Sequence, residues 1–90
     1  MAYFAISYDL RRKEEFDYSR LWQEFKRLRG VKFQESAFFI ELTLSASDVK
    51  DHFVEFVHDD DLLMVIEFDK KPSRTRGLKG TSDWISARWN

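Results

Sequence analysis

The sequence contains no cysteine, one proline and three glycines among its 90 residues. Without cysteine it has no disulfides, no thiol catalysis and no cysteine-based zinc site. With so few glycines and prolines and 43% apolar residues, it does not have the composition of a disordered chain. No apolar run approaches the roughly 18 residues of a membrane span, and we find no signal-peptide pattern before the first charged residues. We therefore expect a cytoplasmic protein without a membrane partner.

Aromatic residues are abundant, with nine Phe, three Trp and three Tyr. Ninety residues allow one domain, in which buried aromatic rings can supply much of a small core. We expect a folded domain over residues 1–69, followed over residues 70–90 by a basic linker and a C-terminal docking segment. Trp84 and Trp89 are costly to leave in water, so we expect this segment to dock on a partner's sheet edge or across a dimer interface.

The net charge of −1 conceals three regions of different sign. Residues 1–33 carry +3, residues 34–69 carry −9 and residues 70–90 carry +5. A nearly neutral total argues against indiscriminate coating of nucleic acid, but the basic regions can still form a local phosphate-binding strip. Solvated helix faces and a flexible tail are the simpler explanation of the same pattern.

The spacing of apolar residues predicts six elements in the first 69 residues. Alternation predicts strands, and apolar steps of three and four predict helices. Ser45 and Asp48 form a capping box, which is the clearest helix start in the chain. In chain order we predict a strand over 2–9, a helix from Asp17 to Gly30, strands within 31–44 with a turn near Glu35–Ser36, a helix from Ser45 to residue 57, and a strand over 62–69.

This βαββαβ order predicts an α+β protein with the ferredoxin-like arrangement, in which both helices cover one face of a four-stranded sheet. The last strand is apolar on both sides, so we expect it to be central and covered on both faces. Leu63 and Val65 would then lie on the face opposite the helices, beside Tyr3, Ala5 and Phe39. Because a monomer seldom exposes such a patch, we expect a homodimer through this sheet face.

Asp9 is the strongest candidate for a catalytic or metal-binding residue. It ends the first strand and precedes the basic residues Arg11, Arg12 and Lys13. Near a dimer axis its carboxylate would meet that of the second copy, and two carboxylates can hold a hard cation such as Mg²⁺. Alternatively, Asp9 caps the loop and pairs with Arg11 or Arg12.

Three other patterns are weaker candidates for a catalytic or binding site. The run His58-Asp59-Asp60-Asp61 lacks the spacing and glycine of a calcium loop, so we interpret it as a solvated turn. His52 is interpreted as an ordinary surface histidine on the exposed side of the second helix or at its margin. The aromatic strands also permit an RNA recognition motif, but SAFFIELTL lacks the basic residue and glycines of that signature.

Two short motifs carry a family resemblance. YFAISYDL at 3–10 ends in Tyr-Asp, and Gln34-Glu35-Ser36-Ala37-Phe38 precedes an acidic strand. Together they resemble the CRISPR-associated protein 2 family, and the tail GLKGTSDW is similar to that of stand-alone relatives outside CRISPR loci. The virulence-associated protein D interferases are similar in fold.

The resemblance implies a ferredoxin-like fold and a homodimer with facing sheets. It also implies a Mg²⁺-dependent nuclease site at Asp9 of each protomer, with Arg11, Arg12 and Lys32 contacting phosphate. The chain lacks the strongly basic ridge of a DNA-bending scaffold, which argues against a role in spacer acquisition.

Two functions of different classes remain open. One is a metal-dependent endonuclease, a hydrolase of RNA or DNA phosphodiesters. The other is a non-catalytic homodimeric adaptor, regulator or phage-type inhibitor, whose acidic surface over residues 35–69 binds a basic protein partner.

Overall fold

Four strands and three helices make up this small α+β protein, for which a computed structural model describes residues 1–89. The strands form one antiparallel sheet in the order β2-β3-β1-β4. Within residues 1–89, no helix has the length and apolar character needed to cross a membrane. The elements are β1 (Ala2–Asp9), α1 (Ser19–Arg27), β2 (Val31–Gln34), β3 (Ala37–Leu42), α2 (Ala46–Val54), β4 (Leu62–Phe68) and α3 (Thr81–Arg88).

The helix boundaries follow local signals. The Asp17 carboxylate accepts a hydrogen bond from the Ser19 amide (2.9 Å) where α1 begins. Ser45 Oγ accepts one from the Asp48 amide (3.1 Å), which confirms Ser45 as the cap of α2. After α1 the chain turns through Arg29, whose φ of 58° is left-handed. Gly30 follows because a Cβ there would lie only 3.0 Å from Ile40 Cγ2.

One sheet face forms the main core with α1 and α2. Phe4, Ile6 and Tyr8 alternate along β1 and are buried, as the period of a strand requires. Phe25 of α1 stacks between Phe38 and Phe53, with ring centroids 3.9 and 4.8 Å away. Full burial of each such side chain contributes roughly 1.5–3 kcal/mol, so this face supplies much of the stability.

An ionic cluster joins α1 to α2 at the surface of this core. Glu24, which is buried, accepts hydrogen bonds from Arg27 Nε (2.7 Å) and Nη2 (2.6 Å). His52 Nε2 of α2 lies 2.5 Å from Glu24 Oε2, so this half-buried histidine links two helices. The Arg27 hydrogen bonds lower the pKa of Glu24 to about 2, although its burial acts in the opposite direction.

The place of β4 in the sheet, and the sheet face on which Leu63 and Val65 lie, differ from the prediction. β4 is an edge strand, because β1 lies between β3 and β4. Leu63 pairs with Tyr8 and Val65 with Ile6, so both pack into the main core rather than on the opposite face. The prediction was wrong because β4 is apolar at both odd and even positions, so alternation could not identify its buried face.

The helix α3 covers part of the opposite sheet face. Trp84 and Ile85 are buried against Phe39, and the Trp84 ring stacks on Phe39 with centroids 4.7 Å apart. Trp89 packs on Tyr3 at 4.7 Å. The docking segment therefore packs on the sheet of its own chain, whereas we expected a partner's sheet edge or a dimer interface. Asn90, the last residue of that predicted segment, lies outside the described residues.

Beyond α3 this face remains open along β4. Leu62, Met64 and Ile66 are 53%, 61% and 48% exposed, and we call these three residues the apolar stripe. Ser7 pairs with Met64 and Asp9 with Leu62, so both polar residues share the face of the stripe. The candidate carboxylate thus borders an uncovered apolar surface.

Candidate functional site

Asp9 ends β1 with its side chain exposed on the face of the apolar stripe. Arg11 Nη2 lies 3.2 Å from Asp9 Oδ2, and both side chains are more than half exposed. An exposed pair of this kind is worth about 0–1 kcal/mol, so a ligand can displace it at small cost. The carboxylate is held in place by its strand and remains accessible.

The loop after Asp9 is fixed by Asp61. This carboxylate accepts hydrogen bonds from the Arg11 amide (2.7 Å), the Tyr18 hydroxyl (2.7 Å) and the His58 amide (2.8 Å). Burial alone would raise the pKa of Asp61, but the bonds from Arg11 and Tyr18 bring it below its usual value. Asp61 therefore stays ionised and holds the basic loop against the turn before β4.

Arg12 points away from Asp9. Its Nε donates to Asp60 Oδ2 (2.8 Å), its Nη2 contacts the same oxygen, and its Nη1 lies 3.6 Å from Glu15. The hydrogen bond from Arg12 lowers the pKa of Asp60. This role of the acidic turn differs from the predicted solvated turn, and no local sequence signal shows that Asp60 meets a residue 48 positions earlier.

Lys32 reaches the same end of the sheet from β2. Its Nζ lies 5.8 Å from the Trp22 ring centroid, a cation–π arrangement. Lys13 and Lys32 line one cleft of about 170 Å³ together with Asp9, Trp22 and Glu35. The fold thus brings Asp9 and Lys32 together as candidates and adds Lys13, which the site prediction did not include.

Tyr8 closes the inner side of this cleft. Within residues 1–89 its buried hydroxyl has no hydrogen-bond partner. Burial, followed by the nearby Glu35 carboxylate, raises the pKa of Tyr8 to about 12. The phenol therefore stays protonated at neutral pH and cannot act as a base, and its burial keeps it out of reach of a bound molecule.

A single chain offers few ligands for a metal cation. Residues 1–89 contain no group of three or more His, Asp or Glu side chains placed to hold a metal ion. Mg²⁺ retains several waters and needs only one or two carboxylates, which an exposed Asp9 could supply together with that of a second copy. A single chain therefore offers Mg²⁺ one carboxylate here, and a second copy would be needed to supply another.

The comparisons identify no family. No protein-family model matches this sequence, and no solved structure matches it.

Proposed function

We propose that the chain is a ferredoxin-like homodimer, related to stand-alone members of the CRISPR-associated protein 2 family, that acts as a Mg²⁺-dependent endonuclease on RNA or DNA. The observation that carries the proposal is the position of Asp9 at the margin of the apolar stripe. Covering the stripe with a second copy brings two Asp9 carboxylates towards one axis. The strand order and the packing of α1 and α2 on one face support the fold assignment.

The stripe favours a second copy as its occupant because the surface is self-complementary. Apolar side chains lie beside an acid and a base, Asp9 and Arg11. In a two-fold interface the same surface of both copies meets. Asp9 of one copy can therefore pair with Arg11 of the other copy instead of with its own Arg11.

The residues around Asp9 suit a phosphodiester substrate. Arg11, Lys13 and Lys32 lie at one end of the sheet and can neutralise backbone phosphates. The exposed Trp22 ring in the same cleft offers a surface for base stacking. When bound between the Asp9 carboxylates, Mg²⁺ would supply Lewis-acid activation of water for phosphodiester hydrolysis.

Cleavage of labelled single-stranded and double-stranded RNA and DNA, with Mg²⁺ or with EDTA, tests the proposal. The wild-type chain should cut at least one substrate only when Mg²⁺ is present. Asp9→Asn should reduce cleavage to background, whereas Asp59→Asn, a matched change at an exposed acid of another turn, should not. Equal cleavage by wild type and Asp9→Asn would refute the assignment.

A non-catalytic adaptor is the second candidate. It is favoured by the existing Asp9–Arg11 pair and by the charge of −9 over residues 34–69. In this case the dimer would form without metal and bind a basic protein through its acidic surface. A stable dimer that cuts none of the substrates would support this function over the nuclease.

A further inference from the structure

A cavity of about 360 Å³ lies between the sheet, the linker and α3. It is separate from the Asp9 cleft, since it opens beside β2 and the linker on the face that α3 covers. Its size falls within the range of small-molecule sites. We call it the linker cavity. Its floor consists of side chains from all four strands, namely Ala5, Phe33, Phe39, Ile66 and Phe68.

The floor suits a planar apolar molecule. Phe33 and Phe39 stack with centroids 3.8 Å apart and an interplanar angle of 13°, so this part of the floor is built of aromatic rings that hold one another in place. Ala5 is the smallest side chain of the floor and leaves space between its larger neighbours. An aromatic body could therefore pack against rings that are already in place.

The rim is basic. Lys70, Arg74 and Arg76 line it, and among the described residues that line the cavity there is no Asp or Glu. Arg74 Nη2 donates a hydrogen bond to Ser82 Oγ (2.7 Å), which holds this guanidinium between the linker and α3. Such a rim would attract an anionic group on a ligand.

The hydroxyl of Thr81 belongs to the wall of the cavity and is closed off from it. Thr81 is only 2% exposed, and its Oγ1 is enclosed beside Gly77, where a Cβ would lie 2.6 Å from it. A molecule in the cavity would therefore be held by the apolar floor and the basic rim.

From these observations we propose that the linker cavity binds a small molecule with a planar apolar body and one anionic group. Both nucleoside monophosphates and aromatic carboxylates have this chemistry. The ring would pack on the floor, and the anion would meet Arg74 and Arg76.

Fluorescence titration of the full chain with 8-anilinonaphthalene-1-sulfonate, a planar aromatic anion, tests the proposal. We expect saturable binding to one site per chain. Arg74→Ala combined with Arg76→Ala should weaken binding at least tenfold. Lys71→Ala removes a positive charge from the same linker outside the cavity lining and should leave affinity unchanged. Ala5→Leu should fill the floor and abolish binding, with circular dichroism confirming that this variant is folded.

Competition distinguishes the sources of the ligand. Displacement of the probe by adenosine monophosphate would support a phosphate ester, and displacement by indole-3-acetate would support an aromatic carboxylate. Failure of both to displace it would overturn the proposal. So would equal loss of affinity in Lys71→Ala, or loss of binding in Val54→Lys, a change at an exposed position of α2 outside the cavity lining.

Discussion

The helix α3 should contribute a large part of the stability through one residue. Trp84 is 5% exposed, stacks on Phe39, and has the Arg88 guanidinium 4.1 Å from its ring centroid. Truncating a buried Trp to Ala costs about 3–5 kcal/mol, because both transfer energy and packing are lost. A chain of 90 residues has a total stability of roughly 5–13 kcal/mol. Trp84→Ala should therefore remove a substantial fraction of the free energy of unfolding.

Two further variants separate packing from the indole N–H. Trp84 Nε1 is buried and has no hydrogen-bond partner within residues 1–89, so its desolvation already reduces stability. Trp84→Phe keeps an aromatic ring and removes that N–H, and we expect a change within about 1 kcal/mol. Trp22→Ala is the matched control, because Trp22 is 39% exposed and its truncation should cost clearly less.

Urea denaturation followed by far-ultraviolet circular dichroism gives the free energy of unfolding for each variant. The expected order of stability is wild type and Trp84→Phe, then Trp22→Ala, then Trp84→Ala. If Trp84→Ala lost less than about 1 kcal/mol, or no more than Trp22→Ala, the docking of α3 on its own sheet would be refuted.

Three other outcomes are expected. Asp9→Asn should change the free energy of unfolding by less than about 1 kcal/mol in the same urea assay, because its ion pair is exposed. Met64→Lys should shift the mass measured by light scattering from twice 10.9 kDa towards 10.9 kDa, whereas Val54→Lys, at an exposed position on α2, should not. The hydrogen bonds from Arg27 hold the pKa of Glu24 at about 2, below its usual 4.5, so stability from this carboxylate is present above pH 4.5 and is lost as the pH falls towards 2. Glu24→Gln should therefore unfold less steeply with acid than wild type over this range.

Local patterns predicted the elements well. The helix α2 begins at the predicted Ser45 cap, and the turn between β2 and β3 lies at Glu35–Ser36. The helix α1 begins close to Asp17, as predicted, but its N-cap residue is Tyr18 and Asp17 binds only the Ser19 amide. The faces of β4 could not be predicted in this way, because Leu62–Phe68 is apolar on both sides and its register with β1 decides which side is buried. The place where α3 docks also depends on tertiary packing.

The site was predicted in part. Asp9 and Lys32 meet at one end of the sheet, and Asp9 also pairs with Arg11, as the loop alternative predicted. Neither the turn of Arg12 towards Asp60 nor the anchoring of the loop by Asp61 has a local signal. Both arise because the fold brings together segments about 50 residues apart.

The division of one sheet face between α3 and the open stripe has a consequence for the motions of the native state. The contact of Tyr3 with Trp89 closes a loop of almost the whole chain, and α3 is joined to the sheet by the long linker. The helix can therefore detach as a unit while the main core stays intact. In such a partly open state the amides of α3 would exchange with solvent sooner than those of β1, which is paired on both sides. The linker cavity would lose one wall in that same state, so the opening of α3 offers a route by which a small molecule could enter.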